Sequence, residues 1–232
     1  MARHRPIGGT RRLRVWDPWV RLVHWSVVVL LPVSWWTAET GRHDLHFLSG
    51  YAILTLVLFR IAWGFVGSET ARFGAFLKGP ARALGHLRDV ARRRVRLEAG
   101  HNAAGGWMVL LLIGLLLAQA GSGLFADDLV LTRGPLARRV DEAWSSLASA
   151  VHLRLFWVIL GLAVLHVLAV AAYRLVLGRN LVGPMVTGRM AVPAEETVAE
   201  PRMGSPALAL ALLCACAGLV GWIGSLGPLP LF

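Results

Sequence analysis

The sequence predicts an all-α membrane protein in which a four-helix transmembrane bundle is followed by a fifth, C-terminal transmembrane helix. Of the 232 residues, 56% are hydrophobic and only 16% are charged, whereas a soluble domain is nearer half apolar and a quarter charged. Apolar stretches of about 20 residues, the length that crosses the hydrocarbon core, occur five times. Basic residues gather before the first of these stretches and in every second connection, which lie on one side of the membrane, as the positive-inside rule describes.

The five apolar stretches are the predicted spans. They cover residues 19–38, 45–66, 105–126, 151–177 and 206–225. We therefore expect a basic N-terminal segment over residues 1–18, a four-helix core over 19–190, a linker over 191–205 and an added helix over 206–232. The last span carries no charged side chain, so it is an anchor or a packing helix.

The distribution of Lys and Arg predicts the orientation. If the chain crosses alternately, eighteen of these residues fall on the N-terminal side and five on the other, which places the N-terminus in the cytoplasm and the C-terminus outside. Since no small-residue cleavage site follows the first span, we expect it to be retained. The predicted location is the bacterial inner membrane. The five basic residues that fall on the outer side are Arg42, Arg133, Arg138, Arg139 and Arg154.

The positions of the basic residues and of the cysteines disfavour nucleic-acid binding and cysteine-based sites. The formal net charge is +11, but the basic residues lie between apolar spans and not along a hydrophilic domain, so no nucleic-acid partner is expected. The only two cysteines, Cys214 and Cys216, lie in the last span. Their spacing suits neither a disulfide framework nor a zinc or iron–sulfur site.

Four histidines lie inside or at the ends of the first, second and fourth spans. His152 and His166 are fourteen residues apart on the same predicted helix. That spacing corresponds to a rise of roughly 21 Å and keeps the two side chains within about 40° of one face. With the predicted orientation, His46 lies at the depth of His152 and His24 at the depth of His166.

Paired histidines at two depths favour two stacked haems. Two imidazoles from different helices fill both axial positions of a haem iron, which suits one-electron transfer. No CxxCH motif is present, so covalent attachment is not expected. Histidines that simply hydrogen-bond a neighbouring helix are the structural alternative, and proton-relay histidines of a transporter are the competing functional one. The spans carry no acidic residue in their middle thirds, which disfavours the relay.

The remaining histidines are expected to have other roles. His43 lies three residues before His46 and could replace it as a ligand, although His46 is further inside the span. His101, just before the third span, could line a quinone pocket, bond a haem propionate or cap the helix. We predict that His4 and His86 are solvated loop residues.

Two arginines are candidate partners of haem propionates. Arg60 lies well inside the second span, fourteen residues after His46 and at the depth of His166. A buried guanidinium needs a counter-charge, which a propionate would supply; snorkelling to the headgroups is the alternative. Arg154, two residues after His152, could play the same part at the outer site.

The basic stretch 91–98 is either an interfacial amphipathic segment or an ordinary positive loop.

Several motifs resemble the bacterial cytochrome b561 family, which includes the b-type cytochrome subunit of nickel–iron hydrogenases. The opening segment 15–25 reads VWDPWVRLVHW, and residues 46–51 read HFLSGY. Further matches are GHN at 100–102, SGLF at 122–125, the helix with His152 and His166, and the C-terminal segment from NLV at 180–182 to MVTGR at 185–189. The resemblance covers residues 13–190, in order and with plausible spacing.

The resemblance implies two b haems in a four-helix core, with His24, His46, His152 and His166 as ligands. It also implies quinone exchange near one haem and electron transfer to or from a partner, which would be a hydrogenase, a dehydrogenase or a cytochrome c. An anchor subunit that docks a partner without relaying electrons is the alternative function. A haem-free transporter is a further alternative, which the lack of acidic residues in the middle thirds of the spans disfavours. A homodimer is one assembly that the sequence allows.

Overall fold

The computed structural model describes residues 9–94, 100–128, 132–194 and 198–227. The helices in these ranges are α1 (Pro18–Glu39), α2 (His43–Val66), α3 (Phe73–Phe76), α4 (Pro80–Ala91), α5 (Ala103–Phe125), α6 (Glu142–Val176), α7 (Val182–Thr187) and α8 (Pro206–Ser225). Five of them, α1, α2, α5, α6 and α8, are long and apolar enough to cross a membrane. The predicted class, an all-α membrane bundle with a fifth helix, is confirmed.

Side-chain caps fix where four of the spanning helices begin. Asp17 accepts a hydrogen bond from the backbone N–H of Val20 at 2.8 Å, and Pro18 follows as the first helical residue. Asn102, Asp141 and Ser205 cap α5, α6 and α8 in the same way. Such caps satisfy backbone donors that a helix leaves unpaired at its start.

Helix α2 is the centre of the bundle. It packs against α1, α5 and α8, while α6 packs along α5. Side chains join α6 to α1, as in the stacked rings of Trp35 and Phe156, whose centroids lie 6.4 Å apart. Ala209 and Val220 of α8 are buried where this helix packs against α2, so the fifth helix is an integral part of the packing.

The two ends of the bundle differ in their connections. We call one end the basic face; it comprises the described residues of 9–17, 67–102 and 177–205. The opposite face comprises the described residues of 40–42 and 126–141. The segments of each face lie at the same end of the bundle.

Helix α6 is longer than the predicted span. It begins at Glu142, nine residues before the predicted start at residue 151. Its first turns carry Glu142, Ser145, Ser146 and Ser149, and this polar stretch hid the helix from a search for apolar windows. Asp141 caps it, with Oδ1 accepting the N–H of Trp144 at 2.8 Å.

The basic connection after α2 contains helices that the sequence analysis did not predict. The amphipathic helix lies at Pro80–Ala91 (α4), and not in the stretch 91–98, which was expected to be either an interfacial amphipathic segment or an ordinary positive loop. Residues 95–98 lie outside the described residues. Pro80 supplies the start of the helix, since proline is favoured at the first helical position, and Arg92 follows its last residue.

A two-stranded antiparallel sheet joins the N-terminal segment to the chain after α7. Strand β1 (Thr10–Arg14) pairs with β2 (Arg189–Pro193), with Leu13 opposite Met190. Leu13, Val15 and Val192 are buried beside it in the core. Neither strand was predicted, because five residues of mixed basic and apolar character carry little β signal without their partner.

The chain between β2 and α8 crosses the basic face in contact with the end of α2. The backbone N–H of Arg202 donates to Glu69 Oε2 at 3.0 Å, and the N–H of Gly204 donates to Ser68 Oγ at 2.9 Å. A Cβ added to Gly204 would lie 2.8 Å from the Trp63 ring. The described residues of 191–205 are therefore bound to the bundle by hydrogen bonds and close packing.

Candidate cofactor sites

His46 and His152 lie together near the opposite face. His46 is in the first turn of α2 and His152 is in the third turn of α6, and their ring centroids are 6.1 Å apart. Both side chains are half-buried. His43 is the first residue of α2 and, among the described residues, has no ring contact with His152. The geometry thus pairs His152 with His46.

Both rings of this pair have the same hydrogen-bonding pattern. His46 Nδ1 lies 2.9 Å from the backbone oxygen of Ser34 on α1, and His152 Nδ1 lies 2.8 Å from that of Gln119 on α5. A carbonyl oxygen only accepts, so the proton of each ring is on Nδ1. Each Nε2 is left with a lone pair, which is the arrangement that metal-binding histidines commonly show.

Gly123 makes room for one of these rings. A Cβ at this position would lie 2.9 Å from His152 Cε1 and 3.1 Å from Nδ1. The ring could not keep its place beside any larger residue. The glycine on α5 therefore sets how closely His152 approaches that helix.

His24 and His166 lie together nearer the basic face. His24 is in the second turn of α1, and its ring centroid is 6.5 Å from that of His166 on α6. Within the described part of the chain, the buried Nδ1 of His24 has no hydrogen-bond partner. Other buried polar atoms near the basic face also have no hydrogen-bond partner among the described residues.

Both pairs fit the donor set of a bis-histidine haem. Imidazole–metal bonds are about 2 Å long, so two imidazoles on opposite sides of one ion have centroids roughly 6 Å apart, close to the observed 6.1 and 6.5 Å. The described residues contain no group of three or more His, Cys, Asp or Glu placed to hold a metal ion. A haem iron needs only two protein ligands because the porphyrin supplies four.

An apolar layer separates the two histidine pairs. Ile159 lies seven residues from both His152 and His166 on α6 and is 2% exposed. It packs with Val57 of α2 and Leu116 of α5 in one core cluster. The side chains at the level midway between the pairs are therefore apolar.

Arg60 is buried near the basic-face pair. Its side chain is 5% exposed, and its guanidinium carbon lies 5.6 Å from the centroid of the Phe73 ring. Neither Nη atom has a hydrogen-bond partner among the residues that the structure describes. The nearby Asp17 carboxylate interacts with it electrostatically. A guanidinium so buried does not fit the snorkelling alternative, since snorkelling would bring it to water.

Arg154 lies in a different environment from Arg60. It is exposed, and its position two residues after His152 turns it by about 200° around α6. Its charge is therefore solvent- or headgroup-facing, on a side of the helix away from the His152 ring.

His101 is enclosed by aromatic rings at the start of α5. The ring centroids of Trp16 and Phe76 lie 4.5 and 4.8 Å from its own. Burial, followed by the positive charge of Arg60, lowers the pKa of His101 to about 3. The helix cap is Asn102 and not His101, which removes one of the three roles considered. His101 also lines a cleft of about 250 Å³ together with Thr70, Lys78 and others.

The prediction that His86 is solvated is wrong. His86 lies on α4, is 9% exposed, and its Nε2 is 2.6 Å from the hydroxyl of Tyr173 on α6. Asn102 Nδ2 donates to the same hydroxyl at 3.0 Å. Sequence reasoning missed this network because its members come from three separate segments. His4 lies outside the described residues.

Comparison with known proteins adds one finding. The model of the family described as prokaryotic cytochrome b561 matches residues 15–188. The matched segment is about three quarters of the chain and contains both histidine pairs, Arg60, Arg154 and His101. Helix α8 lies outside it. Neither the curated proteins nor the solved structures include a match to this chain.

Proposed function

Because the chain belongs to the prokaryotic cytochrome b561 family, we propose that it is a di-haem b-type cytochrome carrying electrons between membrane quinone and a redox partner. The family itself implies a membrane b-type cytochrome in electron transfer. The number of haems, their ligands and the partners go beyond what the family implies, and we propose them here. The observation that carries it is the occurrence of two histidine pairs at two levels of the same helix, α6.

In this proposal, one haem is held by His46 and His152 and the other by His24 and His166. Backbone carbonyls of Ser34 and Gln119 orient the first pair by accepting the Nδ1 protons. A b-type haem bound by two imidazoles supplies one-electron oxidation and reduction without an open coordination position. The apolar layer around Ile159 lies at the level between the two sites.

The buried Arg60 side chain is proposed to interact with a haem propionate. The two Nη groups of Arg60 are buried donors that lack partners within the described residues, and leaving such donors unsatisfied is costly. A carboxylate at the basic-face site would satisfy them. Arg154 is not assigned the corresponding contact at the opposite-face site, because it is exposed and lies about 200° around α6 from His152.

The proposed partners are a membrane quinone and a protein. A quinone reaches the helices laterally through the bilayer, and the cleft beside His101 offers polar groups from Thr70 and Lys78 at the end of apolar spans. The protein partner is a hydrogenase, a dehydrogenase or a cytochrome c. We place the chain in the bacterial inner membrane with the basic face in the cytoplasm, as the excess of Lys and Arg on that side favours.

A haem count on the purified full-length protein tests the proposal. We expect two b haems per chain in a pyridine haemochrome assay, both reducible by dithionite and at least one by a quinol analogue. One haem per chain would overturn the two-site assignment. Two haems that no quinol reduces would favour a docking subunit that does not relay electrons. Folded protein without haem would overturn the electron-transfer function.

A further inference from the structure

Helix α4 lies at the level where two spanning helices end. Trp107, in the second turn of α5, donates from Nε1 to the backbone oxygen of Lys78 at 2.9 Å, just before α4 begins. Further along α4, His86 bonds the hydroxyl of Tyr173, which is three residues from the end of α6. Helix α4 therefore lies along the boundary of the apolar region and does not cross it.

Three sides of α4 have different surroundings. Ala83, His86 and Val90 face the bundle and are buried or half-buried. Leu84 and Leu87 form a second side; they lie within about 60° of each other around the helix and are 59% and 54% exposed. The third side is polar and carries Arg82, Arg88 and Asp89.

The exposed leucines lie on a helix that packs against a spanning helix. Helix α4 packs against α5, whose residues Trp107, Leu110 and Leu111 are exposed on a helix long enough to cross a membrane. Acyl chains cover such a surface in the bilayer, and tryptophans concentrate at its boundary. Lipid that covers α5 would therefore also be within reach of the Leu84–Leu87 side of α4.

The charges of this segment select the kind of lipid. Residues 78–94 contain six cationic side chains and one acidic one, Asp89. Within the described ranges, none of its arginines forms an ion pair. Such a cluster at a membrane surface attracts anionic headgroups. The arginines are Arg82, Arg88, Arg92, Arg93 and Arg94.

We propose that α4 is an interfacial helix that binds anionic phospholipid. Leu84 and Leu87 enter the acyl region, and the arginines of residues 82–94 bind headgroup phosphates. The bundle-facing side is held by the bond between His86 and Tyr173, so α4 can bind lipid without leaving the protein. This surface includes none of the four paired histidines, so lipid binding there does not depend on the haem assignments.

Hydrogen–deuterium exchange in nanodiscs tests the proposal on the full-length protein. One set of nanodiscs contains phosphatidylcholine alone, and the other contains an equimolar mixture with phosphatidylglycerol. We expect the amides of residues 82–91 to exchange at least about fivefold more slowly in the mixture, which corresponds to one favourable contact between a cation and the charged surface. The amides of α5 and α6 serve as internal references.

Two variants separate the charged and apolar contributions. The combined substitution Arg88→Gln/Arg92→Gln should remove the difference between the two lipids. The combined substitution Leu84→Asn/Leu87→Asn should speed exchange in both. The matched control is Arg138→Gln/Arg139→Gln, which removes two exposed charges from the opposite face and should leave the exchange of α4 unchanged.

Two results would overturn the proposal. Equal exchange of residues 82–91 in both lipids would show that anionic headgroups are not bound there. An effect of the control as large as that of Arg88→Gln/Arg92→Gln would show that only net charge matters. Unchanged exchange in α5 and α6 establishes that each variant is folded, and the haem content of the same samples tests the proposed function separately.

Discussion

The imidazole of His152 on α6 donates its Nδ1 proton to the backbone oxygen of Gln119 on α5, at 2.8 Å. The bond fixes both the tautomer and the orientation of the ring, with Nε2 unprotonated. Because the acceptor is a backbone atom, substituting the Gln119 side chain would leave the bond in place. The bond depends on how closely α5 and α6 approach each other, and Gly123 helps to set that separation.

Gly123→Ala should therefore disturb the opposite-face site. The added Cβ would lie 2.9 Å from His152 Cε1, and overpacking of this kind costs about 1–3 kcal/mol. We expect lower haem content and a lower midpoint of thermal unfolding. Gly121→Ala, on the same helix, is the matched control because a Cβ there meets nothing within 4 Å. Equal behaviour of the two variants would show that the close approach is unimportant.

Substituting one histidine from each pair should remove one haem at a time. His166→Ala should abolish the haem shared with His24, and His46→Ala the haem shared with His152, so each variant should retain half of the haem in a pyridine haemochrome assay. His43→Ala is the control, since His43 is one turn away from His46 and should be dispensable. If His43→Ala removes a haem and His46→Ala does not, the ligand on α2 is wrongly assigned.

Much of the fold could be predicted from the sequence because its signals are local. Apolar length identifies the spans, and a fourteen-residue spacing on a helix identifies aligned histidines without any tertiary information. The start of α6 and the position of α4 were misjudged because polar helical turns outside the membrane carry no apolar signal. The sheet and the bond between His86 and Tyr173 depend on residues far apart in the chain, so no local pattern could have revealed them.

Arg60→Leu should lower the midpoint potential of the basic-face haem. A nearby positive charge favours the reduced form, so its removal favours the oxidised form; at the effective dielectric of a protein the change is some tens of millivolts. A spectroelectrochemical titration of the purified protein measures it. Arg60→Lys retains the charge and should shift the potential less. An unchanged potential in Arg60→Leu would show that Arg60 does not act on the haem.

Tyr173→Phe should loosen α4 from the bundle. The change removes a hydroxyl that accepts from Asn102 and bonds His86, and leaving such partners unsatisfied costs about 1–3 kcal/mol. We expect faster hydrogen exchange over residues 80–91. Tyr51→Phe is the control, because Tyr51 is the only other tyrosine and lies on α2 against α8. Unchanged exchange in Tyr173→Phe would show that other contacts hold α4.

His101 should make the protein less stable in mild acid. Its pKa is lowered to about 3 by burial and by the positive charge of Arg60, whereas an unfolded histidine titrates near about 6.5. Below that pH the unfolded chain gains a proton that the folded protein does not bind. Stability is therefore complete above about pH 6.5 and falls toward pH 3, by at most about 2 kcal/mol at pH 5.

The substitution His101→Phe isolates this contribution. Phenylalanine can still pack against Trp16 and Phe76, and it removes an Nδ1 atom that has no hydrogen-bond partner within the described residues. Thermal unfolding in detergent at pH 7 and pH 5 should show a smaller decrease for the variant than for the original protein. Equal decreases would place the acid sensitivity elsewhere, because His101 would then bind its proton equally well in the folded and unfolded states.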